Sequence, residues 1–220
     1  MTVIALGVPM RLLLIRHGQT AANLAGALDT AAPGMPLTEA GHRQAGELVG
    51  VLRDERIGAV FVSPLTRARQ TAEPLAAALG ARPRVRTGLR ELEAGVWECS
   101  TAPDDVSRYA AVASAWASGR PEVPMPGAGD GTEFLGRFDA VVAEAAACGA
   151  EVAALVTHGT AVRIWSAARA ANVCLGFVLE NEVPNTGVVV VEGTPVTGWR
   201  VLSWAGQEVG ERTASALVLG

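Results

Sequence analysis

The sequence predicts an α/β domain of three layers, α/β/α, with a mostly parallel central sheet and an antiparallel strand at its edge. Three observations predict it. Short aliphatic runs at 12–15, 58–64 ("GAVFVSP") and 151–159 ("EVAALVTHG") alternate with segments of helical periodicity, the signature of parallel strands joined by crossover helices. The run at 12–15 is apolar without alternation, as strands covered on both faces are. Near its end the chain reads "NTGVVVVEGTPVTGWRVLSWAG", two strands joined by a short turn. With 220 residues, 50% of them hydrophobic, it suits a single domain over 1–220 with a sizeable core.

The elements follow in order. After the first strand, Thr38 is a plausible N-cap for a helix whose Ala45, Leu48, Val49 and Leu52 recur at helical spacing. Pro64 stops the second strand, and a helix over about 65–79 ends at Gly80. "RVRTG" is a weak third strand. Residues 95–131 form an irregular, cap-like segment rich in Pro, Gly and Ser, with one helix near 104–118. Phe134, Phe138, Val141, Val142 and Ala145 mark the apolar face of the next helix, and another begins near 160 after the strand at 151–159.

Composition excludes several function classes. The net charge is −4 and no basic block occurs, so no nucleic-acid partner is expected. No run of about eighteen apolar residues is present, so no membrane span is expected. "MTVIALGVPM" lacks a basic region and a cleavage pattern and reads as a lead into the first strand. Cys99, Cys148 and Cys174 lie far apart without metal-type spacing. They point to small apolar packing in a reducing, cytoplasmic setting, with no disulfide framework and no metal. The sequence has no lysine; all 18 basic residues are Arg. That rules out Schiff-base chemistry and a P-loop, and leaves anion recognition to Arg forks, His, helix ends and backbone N–H groups. No cofactor is expected. A homodimer is compatible with the sequence.

Ligands of open α/β sheets sit beyond the carboxyl ends of the strands. Arg16 and His17 follow the first strand, Ser63 and then Arg67 the second, Arg90 and Glu91 the weak third, and His158 and Gly159 the strand at 151–157. Two of the three histidines therefore stand directly after strands.

These segments carry a resemblance. "IRHGQTAAN", "PLTEAGHRQA", "SPLTRARQTA", "LRELEAGVWE" and "LVTHG", in this order, are similar to the histidine phosphatase superfamily, also called phosphoglycerate mutase-like. The resemblance implies that fold and a metal-independent phosphomonoesterase acting on a small phosphorylated metabolite. It makes His17 the nucleophile, Asn23 a side-chain donor to the phosphate and Glu91 the proton donor, with Glu93 the competing carboxyl.

The chemistry agrees with that implication. Phosphate-monoester hydrolysis needs up to about 10²¹-fold acceleration, and transfer to an enzyme nucleophile divides the task. A neutral imidazole attacks phosphorus without a metal. Arg16, Arg67 and His158 are placed to stabilise the charge on the transferring group. Gly18 would let the backbone approach the phosphate, and Thr20 and Gly159 complete the expected phosphate-binding set. Glu91 must hold its proton when the ester is attacked, which calls for a site that raises its proton affinity.

His42 and Arg69 read as solvent-facing helix residues. Trp97, Tyr109 and Trp116 are explained by packing, with a wall of the substrate site as the alternative. Two segments depart from the family. "GVWECS" carries Cys99 where many relatives have Gly, and "PGAGD" carries Gly129 and Asp130 where many have Glu and Ser. The transfer set is intact and the substrate side is altered. Two other functions fit the same residues. A phosphoglycerate mutase would need a closed, positive lid, whereas 121–134 holds acidic residues and no basic one. A non-catalytic phosphate-binding module would need neither a nucleophile nor a proton donor.

Overall fold

The computed structural model describes residues 8–210. Its elements are β1 (Met10–Arg16), α1 (Ala21–Ala25), α2 (Glu39–Val51), β2 (Ile57–Val62), α3 (Thr66–Ala78), β3 (Arg84–Val85), α4 (Pro103–Ala117), α5 (Gly131–Ala147), β4 (Val152–Thr157), α6 (Gly159–Arg169), α7 (Leu175–Glu180), β5 (Val188–Thr194), β6 (Gly198–Trp204) and β7 (Gln207–Glu208). The first seven residues of the apolar lead lie outside the described residues.

The strands form one sheet in the order β3-β2-β4-β1-β5-β6-β7. β3, β2, β4 and β1 pair in parallel, and β5, β6 and β7 add to β1 antiparallel. Alternation along the central strands supplies both faces. Leu13, Ile15, Val60, Val62, Ala154 and Val156 pack with Leu48 of α2 and Ala68, Ala72 and Leu75 of α3. Leu12, Leu14, Phe61 and Leu155 pack with Phe134, Phe138 and Val142 of α5 and Val162 and Trp165 of α6. That is the three-layer arrangement expected of strands apolar on both faces.

Local chemistry explains the boundaries. Thr38 accepts a hydrogen bond from Gly41 N–H at 3.0 Å and caps α2, as its sequence position predicts. Gly80 lies just beyond α3 with φ of +59°, the left-handed stop. The third strand shrinks to two residues, because Thr87–Leu89 turns into a 3₁₀ helix that carries the chain back toward the sheet's carboxyl edge. Asp130, at the altered "PGAGD" segment, caps α5 by accepting from Glu133 N–H at 3.0 Å. An Asp in place of Ser keeps that cap. α1 and α7, both short, are additional to the elements expected from periodicity.

Candidate active site

The carboxyl ends of β1 and β4 lie side by side, since Arg16 pairs with Thr157. This register brings His17 and His158 together, their rings edge-on with centroids 5.3 Å apart. β5 is antiparallel and starts at the same edge, so the residues before it reach the site as well. Thr186 N–H and the Asn185 amide both donate to the His17 carbonyl. A cavity of about 200 Å³ opens there, lined by Arg16, His17, Thr20, Asn23, Asp29, Arg67, Glu91, Tyr109, Gly159, Arg163 and Glu182, among others.

His17 is buried, and its Nδ1 lies 2.7 Å from the Gly18 carbonyl. A carbonyl only accepts, so Nδ1 carries the proton and Nε2 carries the lone pair. Burial first, and then the Arg67 guanidinium, holds the His17 proton affinity well below the ordinary imidazole range. The ring is neutral at neutral pH. Gly18 has a different part from the one expected. It does not line the cavity; its N–H donates to Thr71 Oγ1 at 2.9 Å, and a Cβ there would stand 2.7 Å from the Gly41 carbonyl oxygen. The glycine lets the loop bearing His17 press against α2 and so fixes the imidazole.

The two cations beside His17 are held differently. Arg67, buried, donates through Nη1 to Asp29 Oδ2 at 3.1 Å and through Nη2 to the Asp29 carbonyl at 2.8 Å. Arg16 donates through Nη1 to the Val183 carbonyl at 2.6 Å, while its buried Nε has no protein partner. A Cβ at Gly159 would come within 3.0 Å of that Nε, so the glycine leaves room for the guanidinium. Burial is the main cause lowering the proton affinity of both arginines. Asn23 accepts at Oδ1 from Thr20 N–H and from the Asn185 amide, which leaves its NH₂ for the cavity.

Glu91 is buried at the start of α6. Its Oε1 accepts from Leu92 and Ala161 N–H at 3.0 and 2.8 Å, and its Oε2 from Thr160 N–H at 3.1 Å. The first-turn N–H groups of a helix lack internal partners, and His158 makes no side-chain cap, so Glu91 takes that place. Oε2 has one such contact and keeps a lone pair for a proton. Arg137 of α5 grips the same loop, donating to the Gly88, Arg90 and Glu91 carbonyls at 2.7, 2.8 and 2.8 Å.

Comparison with known proteins places the chain. The sequence pattern of the histidine phosphatase superfamily (branch 1) matches residues 12–207. The chain belongs to this superfamily. The PE-PGRS family protein PE_PGRS11 of Mycobacterium tuberculosis is 36% identical over 213 residues, covering 89% of this chain. The match spans only 36% of that longer relative. The adenosylcobalamin/alpha-ribazole phosphatase of Salmonella typhimurium is 35% identical over 143 residues, 60% of this chain and 68% of that protein. Among solved structures, a mycobacterial glucosyl-3-phosphoglycerate phosphatase in complex with VO₃ superposes with a TM-score of 0.74 at 26% identity, covering 89% of this chain and 98% of that one.

Within this histidine phosphatase superfamily chain, the residues singled out by sequence separate by position. His17, Glu91, Arg16, Asn23, Arg67, Thr20, Gly159 and Tyr109 line the cavity. Gly18 and His158 do not. His158 is fully buried behind His17, with Nε2 2.8 Å from Ser63 Oγ and Nδ1 without a protein partner. Burial, and next Arg67, lowers its proton affinity well below the ordinary range, so it is a neutral ring and not a third cation. Glu93 is drawn away into an ion pair with Arg90 at 2.7 Å. His42 and Arg69 are exposed on their helices.

Of the three aromatic residues, only Tyr109 reaches the cavity; its hydroxyl donates to the Leu92 carbonyl at 3.1 Å. Burial, reinforced by Glu91, keeps that phenol protonated. Trp116 is a core residue whose Nε1 donates to the Val123 carbonyl at 2.8 Å, and Trp97 packs against the same core. Asp29, Arg163 and Glu182 line the cavity although the sequence reading passed over them. Asp29 follows no strand, and the other two stand on α6 and just before β5.

Proposed function

We propose that the chain is a phosphomonoesterase that hydrolyses a small phosphorylated metabolite through a phosphohistidine on His17. One observation carries the reading. A buried, neutral imidazole, with Nδ1 committed to the Gly18 carbonyl, stands in a small cavity beside two guanidinium groups and a carboxyl group. Binding alone needs neither a lone pair at phosphorus nor a proton source. In the first step the Nε2 lone pair attacks phosphorus, the P–O ester bond breaks, and the leaving alkoxide takes the proton of Glu91 Oε2. Arg16, Arg67 and the Asn23 amide offset charge on the transferring oxygens, and preorganised donors of this kind are each worth about 10²–10³ in rate. In the second step water attacks the phosphohistidine, Glu91 takes its proton, and the P–N bond breaks to release phosphate.

The relatives' names support this reading, since both the Salmonella relative and the VO₃-bound structural neighbour are phosphatases. We further propose that no metal takes part. Arg16 and Arg67 line the cavity beside His17 and supply the positive charge that a metal ion would otherwise bring to the phosphoryl group. No helix of the described residues is long and apolar enough to cross a membrane.

The test is hydrolysis of para-nitrophenyl phosphate. Wild-type protein turns it over and gives an acid-labile phosphoenzyme. His17→Ala lowers turnover by at least about 10³-fold and abolishes the label. EDTA changes neither. An active, labelled His17→Ala protein overturns the assignment, and interconversion of 2- and 3-phosphoglycerate faster than hydrolysis makes the chain a mutase.

A further inference from the structure

We infer that Asn185 is a positioning residue. It donates both amide hydrogens, one to the His17 carbonyl and one to Asn23 Oδ1, and so turns the Asn23 NH₂ toward the transferring phosphoryl group. The inference rests on the phosphomonoesterase reading above and adds a residue that does not itself line the cavity.

The orientation of both amides follows from their partners. Thr20 N–H only donates, so the Asn23 atom 3.1 Å from it is the oxygen. That oxygen has no hydrogen to give, so the Asn185 atom 3.0 Å from it is the nitrogen. The same nitrogen lies 3.1 Å from the His17 carbonyl, a second acceptor, and its two hydrogens are spent. Two donors fill the lone pairs of Asn23 Oδ1, which leaves the NH₂ for the cavity that Asn23 lines. Turned the other way, Asn23 would set its NH₂ against the Thr20 N–H and offer an oxygen to the phosphoryl oxygens, a repulsive contact in place of a donor. Thr20 holds this amide at one point, and Asn185 supplies the second.

The turn that carries Asn185 is held in a strained shape. Gly187 N–H donates to the Pro184 carbonyl at 2.8 Å and closes the turn, and Thr186 within it has φ of +57°. A β-branched residue is rarely found in that left-handed region, and such strain persists where the surroundings over-determine it. Here Thr186 N–H donates to the His17 carbonyl at 3.2 Å, Arg16 N–H to the Gly187 carbonyl at 3.0 Å, and Arg16 Nη1 to the Val183 carbonyl at 2.6 Å. The segment 183–187 therefore holds Arg16, His17 and Asn23 in one frame, and Asn185 is its link to Asn23.

The experiment is a double-mutant cycle on para-nitrophenyl phosphate hydrolysis, with wild type, Asn185→Leu, Asn23→Ala and the double variant. Asn185→Leu should lower kcat by about 10- to 100-fold, the scale of a catalytic group displaced by roughly 1 Å. KM should move by less than about threefold, because the donor meets charge that develops during transfer. In the Asn23→Ala background the same substitution should cost less than about threefold, since the group it acts through is gone. Leu fills the volume of Asn without a donor. A packing role would therefore spare Asn185→Leu and damage Asn185→Ala, whereas loss of the donors makes the two alike; Asn185→Ala also carries the cycle should Asn185→Leu fail to fold. Wild-type kcat in Asn185→Leu, or an equal loss with and without Asn23, overturns the inference. A wild type that neither hydrolyses the ester nor forms a phosphoenzyme defeats the phosphomonoesterase reading instead. Calorimetric binding of orthovanadate to the same four proteins then reads the coupling, and additive losses there overturn the inference as well.

Discussion

Cys99 shows how one side chain records a departure from the superfamily pattern. Its φ is +62°, in the left-handed region that favours glycine, and its N–H donates to the Leu28 carbonyl at the cavity wall. The neighbouring Glu98 accepts from the N–H groups of Thr30 and Ala31, so the turn holds the strip that carries Asp29. A non-glycine residue in this conformation costs about 1–2 kcal/mol, partly offset by glycine's greater freedom in the unfolded chain. Cys99→Gly should therefore stabilise the protein by about 1 kcal/mol, a rise of ~2–4 °C in Tm for a domain of this size. A thermal melt decides it, and a lower Tm would mean that the cysteine side chain more than repays its strain. The cysteine was legible in the sequence as a departure; its φ was not, because a single residue type does not report the turn it occupies.

The same limit operates between elements. Residues directly after parallel strands were readable as site residues, because such strands all end at one edge of the sheet. β5 runs the other way, so the residues that reach this edge are those before it, and Glu182, Val183 and Asn185 arrive by that rule. Short α7 has too few residues for periodicity to reveal it. Arg137 was hidden for another reason: a charged residue on a helix otherwise read for its apolar face gives no sign of where its fork ends. In the proposed mechanism it is a positioning residue, bonded to carbonyls on and before Glu91. Arg137→Met should free that loop and lower kcat by about 10²-fold, the effect of moving a catalytic group by roughly 1 Å. The loss should be greater for an alkyl phosphate, whose leaving group needs the Glu91 proton, than for para-nitrophenyl phosphate, whose phenolate leaves with less help. Equal losses on both would assign Arg137 to the fold alone.

At the scale of the whole molecule, the site makes a demand on stability. A nucleophilic imidazole must be neutral, and here burial beside arginines keeps both His17 and His158 so. Their proton affinities are lowered in the folded state, whereas in the unfolded chain each titrates near the ordinary value of about 6.5. Above that value neither state binds the extra protons and stability is unaffected. Below it the unfolded chain takes up protons that the folded protein refuses, so stability falls as pH falls, by up to about 1.4 kcal/mol per pH unit for each histidine. Two such groups together remove up to about 3 kcal/mol per pH unit, a large share of a domain's usual total of about 5–15 kcal/mol. The urea midpoint should be flat from pH 8 to 7 and drop steadily from about pH 6.5 toward 5. His158→Gln should flatten that slope by about half even where it lowers the midpoint at pH 7.5. A midpoint that stays level down to pH 5 would show that the two rings accept protons in the folded state, and His17 would then lack the lone pair that the proposed chemistry requires.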